Sequence, residues 1–186
     1  MPADDDDQSE QPSAATVSWP TKRFTWSELT QIITIDKDLA RLRRCRHDQQ
    51  VYEDYMTRVV RTRYKTVLDF ILCTKLDVTP RVDPRTGQTC AAPLTTVTGV
   101  RKRLLRNDFP YYFDTRVEHW ILWKLGGGDE GITLDEIDQA KADLRQQLVN
   151  VEDVLHWVNP PALKSIPDID HVHILCLRGE TTSSSS

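Results

Sequence analysis

Hydrophobic positions along this chain recur with two periods, and the change between them divides it into halves. Between about Gln49 and Leu76, apolar residues such as Tyr52, Tyr55, Val59, Val67 and Ile71 follow one another mostly at steps of three and four. That spacing predicts a long helix with one stripe packed on a core. Upstream, "FTWSELTQII" holds Thr25 and Glu28 three residues apart, a capping box that opens a short helix. Asp36 is expected to cap a second helix, "KDLARLRRC". The stretch "DVTPRVDPRTGQTCAAP" is broken by prolines and a glycine and reads as a loop, followed by a short basic segment, "VRKRLLRNDFP".

Past Glu118 the pattern shortens. "EHWILWKL" has the dense aromatic and aliphatic content of a buried strand, and "GGGDEG" is a flexible turn. "TLDEIDQAKADLRQQL" is a helix, with Thr133 and Glu136 as its capping box and Leu134, Ile137, Leu144 and Leu148 on one face. "VLHWVN" and "HVHILCL" add two more strands. The expected fold class is α+β, a helical N-terminal half packed on a small, mainly antiparallel sheet. Residues 1–20 and 181–186 read as disordered tails, acidic at one end and serine-rich at the other, around a single domain over 21–180.

Composition narrows the classes. The chain has 186 residues, 28% of them charged and 39% hydrophobic, which suits an ordinary globular protein. Its net charge is −4, but Asp4 to Asp7 and Glu10 supply −5, so the remainder carries +1. A near-neutral domain gives no electrostatic case for nucleic acid, and "RLRRCR" reads as a solvated face. No apolar run is long enough to cross a membrane. Four scattered cysteines read as free thiols, and the acidic start is unlike a secretory signal, so a cytoplasmic place is expected, with the nucleus as a second compartment.

The polar chemistry gathers at one sheet end. Alternation puts His171 and His173 on one strand face with Leu175 and Leu177, while Val172, Ile174 and Cys176 take the other. His119 shares its side with Ile121 and Trp123. Neighbouring strands would bring these histidines together with Asn159 and Ser165. Two imidazoles on one face are costly to bury without partners. Packing, a zinc site completed by His119 or Asp170, and catalysis are the three readings the spacing leaves open. His47 and His156 read as ordinary packing or surface residues.

Three strings carry a resemblance: "VYEDYMTRVVRTRYKTVLDFIL", "NDFPYYFDTRVEHWILWKL" and "WVNPPALKSIPDIDHVHIL". In this order they resemble an uncharacterised family that includes fungal N-acetylglucosamine-induced proteins. The likeness runs from about Phe24 to Gly179 and implies a fungal or protist protein of amino-sugar response, with no established activity. "YKTV" stands where the family leads one to expect a glycine after the tyrosine.

From Glu118 onward the order of a histidine-led strand, a helix, a strand ending in asparagine, a serine loop and "HVHILCLRG" resembles the histidine-triad superfamily of nucleotide hydrolases and transferases. That resemblance implies a histidine-triad-like C-terminal half, with His173 as nucleophile and His171 and His119 beside it. Asn159 and Ser165 match phosphate-contacting positions, and Lys164, outside that mapping, is a further candidate donor to phosphate oxygens. The chain departs from the pattern at Leu175, where the third histidine would stand, and in the four residues "PDID" that lengthen the loop. The implied ligand is a nucleotide or nucleotide sugar, with no cofactor and no metal, and no oligomeric state is implied. A non-catalytic regulatory or binding protein and a zinc-binding protein are the alternatives.

Overall fold

The structure is a computed structural model that describes residues 18–128, 131–164 and 166–180. The expectation of disordered tails falls outside these residues, apart from Ser18 to Pro20. Four strands form an antiparallel sheet in the order β3 (Arg101–Arg106), β4 (Val117–Leu125), β6 (Asp170–Arg178), β5 (Val151–Trp157). A second, two-stranded sheet pairs β1 (Pro80–Val82) with β2 (Thr89–Ala91) inside the proline-broken stretch read as a loop. With four principal helical segments, the fold class is α+β. Among the described residues no helix is long and apolar enough to cross a membrane.

The short helix α1 (Trp26–Thr30) opens on the expected capping box, with Thr25 accepting from the Glu28 amide. It then widens into a π-helical turn (Gln31–Asp36). Asp36 therefore closes this helix and does not cap a second one. Lys37 follows in the left-handed region (φ 55°), and only a single 3-10 turn (Leu39–Arg41) comes next. The Asp36 carboxylate instead accepts from Gln31 and Arg41 side chains.

The expected long helix is real up to Arg63 and then breaks. α2 (Arg46–Tyr55) runs through a π turn (Met56–Val60) into α3 (Arg61–Arg63). Tyr64 is extended and bridges Thr89 of β2. A new N-cap at Thr66, whose hydroxyl accepts from the Asp69 amide, starts α4 (Val67–Lys75). The hydrophobic steps continue across the break because both pieces pack on one core. Ile71 is buried there, while Tyr52, Tyr55, Val59 and Val67 are half-buried.

The capping box at Thr133 and Glu136 starts α5 (Leu134–Gln147) as expected. Its buried stripe is Ile137, Ala140 and Leu144. Leu134 does not belong to it, being 72% exposed at the first helical position, where the chain still turns off the sheet. Gly126, Gly127 and Gly128 all have φ between 76° and 93°, a left-handed run open to glycine that turns the chain away from β4.

Each sheet face has its own cover. Leu122, Val172, Ile174 and Cys176 meet Ile137, Ala140 and Leu144 of α5. On the opposite face, Leu175 and Trp157 pack against Leu29, Ile32 and Ile33 of the α1 region. Ile121 and Trp123 pack against Val60, Phe70 and Ile71. A cavity of about 300 Å³ lies on this second face, bordered by α2, α4, the chain after β3, and the histidines.

Candidate functional site

Antiparallel register sets the histidines. Trp123 pairs with His171, Ile121 with His173, and His119 with Leu175 across β4 and β6, while Trp157 of β5 pairs with His173. All three imidazoles fall on the helix-α2 side of the sheet, His171 and His173 two residues apart along β6 and His119 diagonal to His173 across the β4–β6 pair. His119 Nε2 stands 2.9 Å from His173 Nδ1. Asn159 Nδ2 stands 3.2 Å from His173 Nε2, and the Trp157 indole N–H donates to Asn159 Oδ1 at 2.9 Å. Trp157 also lies flat on the His173 ring, with centroids 4.6 Å apart at 7°.

These bonds set proton positions. An indole nitrogen only donates, so Asn159 presents oxygen to Trp157 and nitrogen to His173. His173 Nε2 thus accepts, and its proton sits on Nδ1, pointing at His119. Both His173 nitrogens are therefore engaged, and the ring is buried. His171 differs. Its Nδ1 lies 2.9 Å from the Ile169 carbonyl, which can only accept. In the neutral ring the proton is then on Nδ1 and the Nε2 lone pair is left, with no hydrogen-bond partner among the described residues. His171 lines the cavity.

Burial dominates the electrostatics. It holds His119 down at about 3, with the Arg44 charge adding to the effect. His173 is pushed well below the ordinary histidine value by burial, then by its two histidine neighbours and Arg44. His171 is lowered by burial too, opposed by the Ile169 carbonyl that accepts its proton. At neutral pH the cluster is uncharged.

The cavity's positive charge comes from elsewhere. Arg44 Nε and one terminal nitrogen donate to the Phe109 carbonyl at 3.0 and 2.8 Å, and the other terminal nitrogen reaches Gln49 at 3.3 Å. Its guanidinium lies 4.2 Å from the Tyr52 ring centroid and 5.3 Å from that of Tyr111. Among the described residues it has no salt bridge to a carboxylate. Lys75 and Arg106 also line the space, and one carboxylate does, Asp108, paired to Lys75 at 2.5 Å. Three cations against one carboxylate leave two positive charges for an occupant. The other wall is apolar, with Met56, Val67, Phe70, Ile71, Ile121 and Trp123.

Of the residues singled out from sequence, His119, His171, His173 and Asn159 come together. Lys164 does not line the cavity and sits 4.0 Å from Asp170. Ser165 lies outside the described residues. Lys124 points to the α5 face, as alternation requires, and donates to Glu136 at 2.9 Å. Sequence reasoning missed Arg44, placed within a solvated face; the chain from Leu42 to Cys45 is not helical, and Arg44 is half-buried with its guanidinium held by the Phe109 carbonyl. It also missed Asn107 and Tyr111. "NDFPYYF" held a usable signal, because Asn107, Phe109, Tyr111 and Phe113 alternate inward while Asp108 and Pro110 are exposed.

A zinc ion does not fit between the paired histidines. Tetrahedral zinc at about 2.0–2.1 Å from each nitrogen would hold them about 3.4 Å apart, but His119 and His173 approach to hydrogen-bonding distance at 2.9 Å. Among the described residues no three His, Cys, Asp or Glu side chains are grouped to hold a metal.

An α+β domain with a buried imidazole cluster beside a cationic, aromatic-walled cavity is the class these features define. The chain belongs to the family described as "Protein of unknown function (DUF3605)", which it matches over residues 25–177. It also resembles the crystal structure of HTC1, at 22% identity and a TM-score of 0.52, over 87% of this chain and 89% of that one, a likeness of fold alone. Comparison with curated proteins gives no match. The likeness to an uncharacterised family is thus shown, whereas the histidine-triad likeness gains no support. Leu175, at the position of the missing histidine, is fully buried against Leu29, Ile32 and Phe113.

Proposed function

We propose that this protein binds a small phosphorylated ligand of the nucleotide or nucleotide-sugar type in the cavity beside the histidines. The observation that carries the reading is Arg44, a guanidinium stacked on Tyr52 and Tyr111 that borders the cavity with no carboxylate partner among the described residues. A phosphate monoester carries about −1.5 to −2 charges at pH 7, which answers the surplus from Arg44, Lys75 and Arg106. Bidentate recognition of phosphate is the geometry a guanidinium is built for. The apolar wall suits the flat body of a nucleobase, and the volume lies at the low end of small-molecule sites.

The geometry favours binding over covalent catalysis by His173, whose two nitrogens are already committed. A second, catalytic reading rests on His171, whose Nε2 lone pair is free to accept a proton from water or to attack phosphorus. Titration calorimetry with AMP, UMP, UDP-N-acetylglucosamine and N-acetylglucosamine 6-phosphate tests the first reading. We expect at least one micromolar to submillimolar ligand whose affinity collapses in Arg44→Ala. No binding across the panel, or equal binding by the variant, refutes it. Hydrolysis of a bound ligand by wild type but not by His171→Ala would establish the second.

A further inference from the structure

The hydrogen-bond chain through the histidines holds one proton more than it can use. It runs Trp157, Asn159, His173, His119, Asn107, Phe109, with separations of 2.9, 3.2, 2.9, 3.3 and 3.0 Å. Its ends are the Trp157 indole N–H and the Phe109 backbone N–H, both obligate donors. Each asparagine amide and each neutral imidazole between them brings one donor end and one acceptor end. Six donors therefore meet in five contacts. Turning either amide or changing either tautomer only moves the surplus along the chain. With both ends satisfied, the collision falls on the longest contact, where His119 Nδ1–H faces the Asn107 amide nitrogen.

Asn107 and Phe109 both line the cavity, next to Arg106, Lys75 and the Arg44 that holds the Phe109 carbonyl. We propose that Asn107 is the seat of the ligand's anionic oxygen, and that the site selects a ligand presenting a proton-free acceptor there. This rests on the reading of the cavity as a phosphate site and names the atom that meets the phosphate. An acceptor oxygen takes the Phe109 N–H and, after the amide turns, the Asn107 Nδ2–H. Asn107 Oδ1 is then free to accept from His119 Nδ1–H. The surplus donor leaves the chain for the ligand, and every contact becomes donor to acceptor. A donor-only group such as the ammonium of an unacetylated amino sugar cannot take this place.

Asn107→Asp tests the idea, because a carboxylate accepts from both His119 and Phe109 and removes the sixth donor. We expect this variant to melt about 2–4 °C higher than wild type while binding AMP and inorganic phosphate at least tenfold more weakly. In wild type, side-chain ¹⁵N spectra of the histidines should show the His119 signal shifting when inorganic phosphate or AMP saturates the site, with both rings remaining neutral. A lower melting temperature for a natively folded Asn107→Asp overturns the proposal. So does phosphate binding that leaves the His119 ring signal unmoved, even if the variant fails to fold. If neither AMP nor any other phosphorylated ligand binds wild type, the phosphate reading itself has failed, an outcome distinct from a ligand that binds indifferently to Asn107.

Discussion

β4 and β6 show two chemistries on alternate residues of the same pair of strands. Toward α5, Leu122, Val172, Ile174 and Cys176 close a dry aliphatic layer. Cations on that side are answered, Lys124 by Glu136 and the Gly131 carbonyl, Lys102 by Glu136, and Arg178 by Glu118. Toward α2 and α4, imidazoles and Trp123 alternate into a face shared with Ile121 and Leu175, and the imidazoles make directional bonds beside a cavity. The first face is held by area and shape, which tolerate small adjustments. The second depends on where protons sit, which do not shift by degrees. A strand can thus keep a stabilising side and a recognising side within 3–4 Å of rise per residue.

The strongest way to break the dry face is Ile174→Ala. Ile174 is fully buried, so the truncation should cost about 3 kcal/mol by cavity formation, measured by chemical denaturation, and leave ligand affinity in the folded protein unchanged. Ile71→Ala, under the cavity, should cost about as much but also weaken binding.

The imidazole face should answer to pH instead. His119 sits near 3 in the folded protein against 6.5 in the unfolded chain, and His173 shifts in the same direction. The unfolded state then binds more protons below pH 6.5, so stability is fully present above that pH and lost as pH falls. His119 alone should account for about 2 kcal/mol between pH 7 and 5. Denaturation curves at the two pH values should show this loss, and His119→Gln should reduce it by about half.

Arg44→Ala sharpens the contrast from the ligand's side. We expect a loss of tenfold to a hundredfold in affinity for a phosphorylated ligand, on the order of 1.4–2.8 kcal/mol, read by calorimetry. Leu134→Ala marks the lower limit. Being exposed at the start of α5, it should change stability by less than about 0.5 kcal/mol, although its spacing places it on the buried stripe.

These contrasts track what the sequence makes visible. β4, β5, β6 and α5 were legible because each has one dominant period and, in α5, a side-chain cap. The faces of His119, His171 and His173 follow from alternation alone. β3 was missed because it is an edge strand, where arginines, lysine and leucines fall on both sides with no buried face to sort them. The break at Tyr64 was invisible to periodicity. What ends the helix is a bridge from Tyr64 to Thr89, twenty-five positions away, together with the Thr66 cap. Of the site, the imidazoles and Asn159 were legible. Arg44 was hidden in a basic run, since what sets it apart from its neighbours is its bond to the Phe109 carbonyl, 65 positions away in the chain. Asn107 was readable in principle, as the first inward step of an alternating aromatic string.

The pairing of His119 with His173 joins positions 54 apart in the chain, and β6 occupies the middle of the sheet although it is its last strand in sequence. During synthesis, β3 and β4 leave the ribosome long before the strand that will lie beside them. Until β6 inserts, β4 offers an open edge carrying Trp120, Ile121, Leu122 and Trp123, a segment apt to pair with the wrong chain. Meanwhile His119 stays in water, able to take up a proton near its ordinary range. Insertion of β6 must expel that proton as it closes the sheet. Refolding should therefore slow in mildly acid buffer, where the nascent edge is both charged and sticky, and the same strand that completes the pocket ends the danger of aggregation.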